Sequence, residues 1–439
     1  MTRITLLPKD DRVNGWSALL PSRQPRPPLS GDINADVVVI GAGFAGIGAA
    51  RRLGELRPNA KIVVFDAQQL GENASGRNSG FAIDLPHNVG SSLEELAKGN
   101  AYLRLARAGI SSLRDCVQRY GIDCDWSEDG KYHTASSERG AEEVLRPTIE
   151  ELDRLNEPYE WLGREDTAKR LGTRHFAASV YTPGTVLINP AALNRGLGEN
   201  LPENVTLYEN CPVLEADFGS TITLRTAHGS VKAPKAILAV NGLATRFGFW
   251  KGKLLSFAAH ASLTRRLTEA EQAALGNISP WGSTPANAFA GITMRYTNDR
   301  RILIRQNIHF CPGLRQSDER RLKIRAEHQR LFDDRFPMLR GVTMEHTWTG
   351  YICLSRNGAP GFGQVAPNVW SAVCQNAVGV AKGTISGRLA AEMALGEDAP
   401  LIADMISLGT PTPVPPRPFL DIGVRTRFAY EIYKNRHEA

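Results

Sequence analysis

Four apolar residues, Val37-Val38-Val39-Ile40, run directly into Gly41-Ala42-Gly43-Phe44-Ala45-Gly46. An uninterrupted apolar run of this length reads as a parallel strand buried on both faces. Residues 44–57 then have helix-forming composition and end near Pro58. Gly41 makes the tight turn, Gly43 lets a pyrophosphate approach the backbone, and Gly46 lets the helix lie against the strand. The free N–H groups and positive dipole end of the helix suit phosphate. Ile62-Val63-Val64-Phe65 is a second strand, and Asp66 follows it, 20 residues beyond Gly46. A carboxylate there accepts hydrogen bonds from both ribose hydroxyls and repels a 2′-phosphate. Together these make a βαβ unit that binds a dinucleotide.

The chain has 439 residues, more than one compact core of ordinary size holds, so two interlocked domains are expected. Its 42% hydrophobic and 22% charged residues are the balance of an ordinary globular protein. The formal charge of +6 comes from scattered Lys and Arg without a recognition motif. That argues against a nucleic-acid partner and suits a cofactor phosphate pair and acidic substrates. No run of about 18 apolar residues is present, so no transmembrane segment is expected. Met1–Leu20 lacks the apolar stretch of a secretory signal. Cys116, Cys124, Cys211, Cys311, Cys353 and Cys374 are too scattered for zinc or a redox dithiol, and a cytoplasmic protein with reduced thiols is expected.

Residues 1–34 read as a peripheral N-terminal arm, kept extended by Pro21, Pro25, Pro27 and Pro28 and pinned to the surface by Trp16, Leu19 and Leu20. Helices are expected over 91–121, 140–156 and 379–396, and short strands over 205–240. A hairpin is expected over 289–310, turning at Thr297-Asn298-Asp299. A proline-rich tail, Pro411 to Pro418, leads to a short amphipathic helix. Both ends of the chain thus build a nucleotide-binding α/β portion, with an antiparallel sheet inserted in the middle.

Gly71-Glu72-Asn73-Ala74-Ser75-Gly76-Arg77-Asn78-Ser79-Gly80-Phe81 resembles the G-x-x-A-S-G-R-N-[GS]-G element of the D-amino-acid-oxidase-like FAD-dependent oxidoreductases. Trp348-Thr349-Gly350-Tyr351-Ile352-Cys353-Leu354-Ser355-Arg356-Asn357-Gly358-Ala359-Pro360 is similar to that family's W-x-G-x-x-x-x-[ST]-x-D-x-x-P. Ala239-Val240-Asn241-Gly242 resembles the strand end where the chain returns to the cofactor. The likeness covers most of residues 35–398 and is nearest to the γ-glutamylputrescine and pipecolate oxidase branch. It implies a Rossmann-type FAD-binding domain with an inserted mixed-sheet substrate domain. In residue ranges, 35–90, parts of 150–245, and 345–400 bind FAD; 91–149 and 246–344 form the substrate domain with connecting helices; 401–439 is a tail. The implied cofactor contacts are Ser75, Arg77, Asn78, Ser79, Gly80, Val213, Asn241, Gly242, Asn357 and Gly379, beside Gly41, Gly43, Gly46 and Asp66. Asn357 stands where the family usually has Asp, and Cys374–Gly379 replaces a stretch usually reading G-x-x-G-H-G. The attachment cysteine of covalent relatives falls at Gly350, so FAD is expected without a covalent link.

The resemblance further implies oxidation of a C–N bond in a small amine or an N-substituted or cyclic amino acid. Hydride passes to flavin N5, giving an imine that hydrolyses or cyclises, and oxygen or another acceptor reoxidises the flavin. A carboxylate substrate needs a fixed cation. Arg295, on the strand before the hairpin turn, has the planar fork for it; Arg305 and Arg356 offer the same chemistry with less positional support. Trp348 and Tyr351 are candidates for the substrate side of the flavin, and His87 for modulating amine protonation. Two other readings stay open. One is a flavin-binding subunit with little activity alone, suggested by the altered Cys374–Gly379 loop. The other is an NAD-dependent dehydrogenase, against which Gly71–Phe81 argues.

Overall fold

The two apolar runs lie side by side in a six-stranded sheet. Its order is Val205–Tyr208, Ile62–Phe65, Val37–Ile40, Lys235–Leu238, Val369–Val373, Gly361–Ala366. The first five strands are parallel and the last is antiparallel. A computed structural model describes residues 1–7, 14–86 and 98–438, so His87 and the start of the expected helix at 91–97 lie outside the described residues. The pleat sends Val37, Val39, Ile62, Val64 and Ile237 to one face and Val38, Ile40, Val63, Phe65, Ala236 and Leu238 to the other. Helices Phe44–Leu56, Gly99–Tyr120 and Ala381–Leu395 cover the first face. Two of them nearly touch: a Cβ on Gly387 would sit 1.8 Å from the Ala45 carbonyl oxygen, an approach only glycine allows.

A five-stranded sheet covers the second face, in the order Thr2–Arg3, Glu215–Phe218, Ile222–Arg225, Gly229–Ala233, Gly31–Asn34. Both of its edges come from residues 1–34, which corrects the expectation of a peripheral arm. Trp16 is 1% exposed. Its indole N–H donates to the Asn78 carbonyl at 2.8 Å, and its ring meets Trp348 edge-on at 6.3 Å. Asn14 Nδ2 donates to the Gly71 carbonyl at 2.7 Å. The arm binds through short apolar islands between prolines, and such islands carry no periodicity for a sequence pattern to detect.

The third sheet has eight strands, in the order Met344–Ser355, Leu254–Thr264, Ile302–Phe310, Thr293–Tyr296, Trp281–Pro285, Lys131–Ala135, Ala178–Thr182, Glu160–Gly163. Trp281–Pro285 and Lys131–Ala135 are parallel; the other neighbours are antiparallel. The expected hairpin is present as Thr293–Tyr296 and Ile302–Phe310. Helix Asp318–Arg335 packs Leu331 and Phe332 on Met294, Ile302 and Ile304. Sheet membership divides the chain differently from the expected ranges. Glu160–Gly163, Ala178–Thr182 and Met344–Ser355 join this sheet, while Gly99–Tyr120 packs with the nucleotide-side helices. Hydrophobic periodicity marks the buried face of an element, not the sheet it joins.

The C-terminal helix, Phe419–Lys434, lies across the end of this third sheet. Phe428 stacks on Phe257 at 5.1 Å and meets Phe289 edge-on at 4.8 Å. Beyond the helix, the buried Glu438 carboxylate accepts from the backbone N–H groups of Ser136 and Ser137 at 2.8 and 3.1 Å.

Candidate active site

A cavity of ≈ 330 Å³ is lined by residues of the six-stranded and eight-stranded sheets and of the loops between elements, a volume within the range of ligand sites. At its nucleotide end the strand Val37–Ile40 delivers Gly41, whose φ of +102° suits glycine alone. A Cβ on Gly46 would lie 1.7 Å from the Gly41 carbonyl oxygen, so the helix closes on the turn only because neither residue has a side chain. Gly43 leaves the helix start bare: a Cβ there would meet Ser75 Oγ at 2.6 Å, and that oxygen accepts from the Phe44 N–H at 3.0 Å. Asp66 Oδ2 accepts from the Ala42 N–H at 2.7 Å and Asn73 Nδ2 at 3.2 Å, and its Oδ1 from the Gln68 N–H at 2.8 Å. Burial pushes the Asp66 carboxyl above its ordinary range, against those three hydrogen bonds. Ile4 and Leu7 of the N-terminal arm and Cys211, Val213, Ala239, Asn241, Gly242 and Phe247 complete this region. A side-chain-free turn, an exposed helix start and a buried acid fit the pyrophosphate and ribose of a dinucleotide.

The loop Gly71–Phe81 runs along one wall. Ser75, Arg77, Asn78 and Ser79 line the cavity, but the polar heads of two of them brace the protein. Asn78 donates to the Ser75 carbonyl at 2.6 Å and accepts from the Gly80 N–H at 2.8 Å. Arg77 donates to the carbonyls of Glu72 at 2.9 Å and Thr349 at 3.2 Å. Opposite, Gln375, Ala377 and Gly379 line the cavity from the Cys374–Gly379 loop. Cys374, Asn376 and Ala377 all have positive φ there. Asn376 holds the loop, donating to the Gly358 carbonyl at 2.6 Å and accepting from the Ser355 N–H at 2.9 Å.

The other end is walled by Ala259, Ala261, Thr284, Thr293, Ile308, Leu314 and Tyr351, with one cation, Arg305. Arg305 pairs across the sheet with Ala261 and Thr293, which sets all three on one face. Its guanidinium donates to Thr293 Oγ1 at 2.6 Å, and its buried Nη1 has no hydrogen-bond partner among the described residues. Burial lowers its pKa to about 10, so it stays charged at neutral pH. Among the described lining residues Asp66, at the far end, is the only carboxylate. An unneutralised buried cation beside an apolar wall can pair with an anionic ligand group.

Arg295 is not on the cavity wall. Its Nη1 donates to the carbonyls of Ile188 at 2.5 Å, Gly80 at 3.0 Å and Ser79 at 3.3 Å, and its head lies over the Trp16 and Phe81 rings. It is two residues along the strand from Thr293, roughly 7 Å, which carries it beneath the flavin loop. Trp348 is also off the wall, donating from its indole to the Arg77 carbonyl at 3.0 Å. Asn357 faces the tail, with Thr410 and Thr412 as partners, and Gly80 backs Arg295. Gly350, Tyr351, Asn241, Gly242, Gly379 and Val213 do line the cavity. In sequence Arg305 ends an apolar run, Ile302-Leu303-Ile304, and the pleat sets it in line with the buried Leu303.

Residues 36–393 match the model of a family described as FAD dependent oxidoreductase. The chain is 24% identical to "Probable oxidoreductase OrdL" of Haemophilus influenzae over 384 residues, covering 85% of each. It is 25% identical to gamma-glutamylputrescine oxidoreductase of Escherichia coli over 383 residues, covering 84% of this chain and 85% of that one. The crystal structure of glycine oxidase from Geobacillus kaustophilus superposes with a TM-score of 0.68 at 19% identity, over 84% of this chain and 96% of that one.

Proposed function

The chain belongs to the FAD-dependent oxidoreductase family, and from that premise we propose that it oxidises the C–N bond of a small amino acid whose carboxylate pairs with Arg305. The single observation carrying this reading is the buried Nη1 of Arg305, unspent at the end of the cavity away from Asp66. The names of the E. coli relative and of the glycine oxidase structure support an amine or amino-acid substrate.

Bound FAD supplies the hydride acceptor. The glycine turn and helix start at Gly41–Phe44 would hold its pyrophosphate, and Asp66 its ribose. Arg305 takes the substrate carboxylate on Nη1 while Thr293 fixes the guanidinium plane. A bidentate or near-bidentate pair there orients the amine-bearing carbon. A fixed cation without a neighbouring carboxylate favours the neutral amine over the ammonium, as loss of hydride from carbon requires. Water then hydrolyses the imine, or the imine cyclises. The cofactor is held without a covalent bond, Gly350 having no side chain to attach; yellow colour that stays with acid-precipitated protein would show otherwise.

Anaerobic flavin bleaching tests the reading, using N-alkyl, cyclic and γ-glutamyl amino acids beside simple amines. Acids should reduce the flavin and their decarboxylated counterparts should not. Equal rates for both, unchanged in Arg305→Ala, would remove the carboxylate anchor.

A further inference from the structure

The C-terminal helix lies outside the family-matched residues and has two unlike faces. Leu420, Val424, Phe428, Glu431 and Asn435 are half-buried against the body, while the opposite side is exposed. At 100° per residue, Phe419, Ile422, Thr426, Tyr430 and Tyr433 fall within an outward arc of about 80°. Phe419 is 69%, Ile422 61%, Tyr430 53% and Tyr433 67% exposed. Of the eleven large apolar side chains exposed among the described residues, five sit on this helix and four of them, all but Ile432, fall in this arc, so the exposure is a stripe and not scatter. Arg425 and Arg436 border the stripe on one side and Arg427 and Lys434 on the other. The two acids of the helix, Asp421 and Glu431, lie on its inner half.

We propose that this face is a docking surface for an anionic lipid bilayer, on which the helix lies flat without crossing it. Aromatic and aliphatic side chains between two rows of Arg and Lys match the acyl boundary and the headgroup phosphates respectively. The charge pattern decides against a second copy of the chain. A two-fold contact sets the same face against itself and would bring Arg425, Lys434 and Arg436 onto the same three cations of the other copy, Arg427 being paired with Glu431. The stripe cannot turn inward, because the helix is held on its other side by Phe428 and beyond its end by Glu438. The surface adjoins the substrate end of the cavity: Val424 and Phe428 pack in one cluster with Ala259, Ile308 and Ile352, all three of which line the cavity.

Sedimentation of the full-length, FAD-loaded protein with vesicles tests this. One set is phosphatidylcholine alone; the other contains about a third phosphatidylglycerol. Binding to the anionic set should exceed the neutral set by at least about tenfold and should reverse in high salt. Arg425→Gln with Lys434→Gln should weaken it about thirtyfold, some fivefold per charge. Ile422→Ser with Tyr433→Ser should abolish it, leaving the flavin spectrum and turnover in solution unchanged. Equal sedimentation with both vesicle sets, or binding that survives Ile422→Ser with Tyr433→Ser, overturns the proposal. So does a dimer in sedimentation velocity that the same pair abolishes, since the face would then join copies of the chain.

Discussion

The nucleotide end of the cavity is built from bare backbone and one buried acid, Asp66; the other end, in the proposed function, relies on a single charged side chain, Arg305. Gly41, Gly43 and Gly46 act by having nothing beyond Cα, and they sit within six consecutive residues. Arg305 acts by a buried charge, and the wall around it comes from strands far apart in the chain. The first design tolerates no added atom but needs little support. On the proposed function, the second tolerates change in its apolar wall and depends on its cation. Evolving a new substrate therefore means altering the second end and leaving the first alone.

The largest effect expected is at Arg305. Arg305→Ala should cost ~2–5 kcal/mol of transition-state binding, a factor of about 30 to several thousand in kcat/KM, with FAD content unchanged. Arg305→Lys should recover little, because a point charge lacks the planar fork. Steady-state kinetics beside flavin absorbance separates the two ends; loss of FAD from Arg305→Ala would break the contrast. Asp66→Ala should do the reverse. Losing its two charge-assisted hydrogen bonds to the ribose, ~1.5–3 kcal/mol each, should weaken FAD by at least about 10- to 150-fold, measurable by fluorescence titration of the apoprotein. Turnover per bound flavin should stay near that of the native protein.

Arg295 sharpens the comparison, since it shares a strand face with Arg305. Arg295→Met should leave three carbonyls without their donor and lower stability by ~1–3 kcal/mol in urea unfolding. The kcat/KM of flavin-loaded protein should hold. A large loss of kcat/KM at full FAD occupancy would return Arg295 to the substrate.

The smallest effect is on pH dependence, where the two ends respond with opposite sign. His133, His260 and His328 belong to the substrate-side sheet and the helix on it. Burial lowers their pKa values to about 3, 2 and 3 from an ordinary 6.5. The unfolded chain takes up protons below 6.5 and the native fold does not. Their stabilisation is therefore complete above pH 6.5 and falls on acidification towards pH 3, by at most about 1.4 kcal/mol per pH unit for each histidine. Asp66, raised by burial, works the other way: its ionisation costs the apoprotein stability as pH rises through the carboxylate range. His328→Gln should flatten the slope of urea-unfolding free energy between pH 6.5 and 5. An unchanged slope would take that histidine out of the acid response.

This division also explains what could be read without a structure. The βαβ unit, its glycines, Asp66 and the Gly71–Phe81 loop are contiguous, since phosphate recognition uses local turns and a local helix start. Arg305 was visible only as an alternative to Arg295. Both lie on one hairpin, and which of them reaches the cavity depends on a displacement of two residues beneath a loop some 200 positions away. Trp16 was seen as a surface pin and is a buried support of the flavin loop, because its partners Asn78 and Trp348 leave no mark near it in sequence. Asn357 matched a family motif, yet in the fold it turns to the tail.

The six-stranded sheet has a consequence for biosynthesis. Its strands come from residues 37–65, 205–208, 235–238 and 361–373, and its first helix closes against Ala381–Leu395. During translation the glycine fingerprint and the strand Ile62–Phe65 leave the ribosome early, the strand Lys235–Leu238 follows about 200 residues later, and the helix Ala381–Leu395 more than 300 residues later. Contacts so distant in sequence form slowly and leave intermediates with open strand edges. The phosphate turn is local, but the sheet and helix that close the cradle around it are complete only when residue 395 has been made. Flavin loading is then expected late in synthesis, and until the sheet closes the apolar strands at 37–40 and 62–65 keep open edges of the kind that pair with other chains.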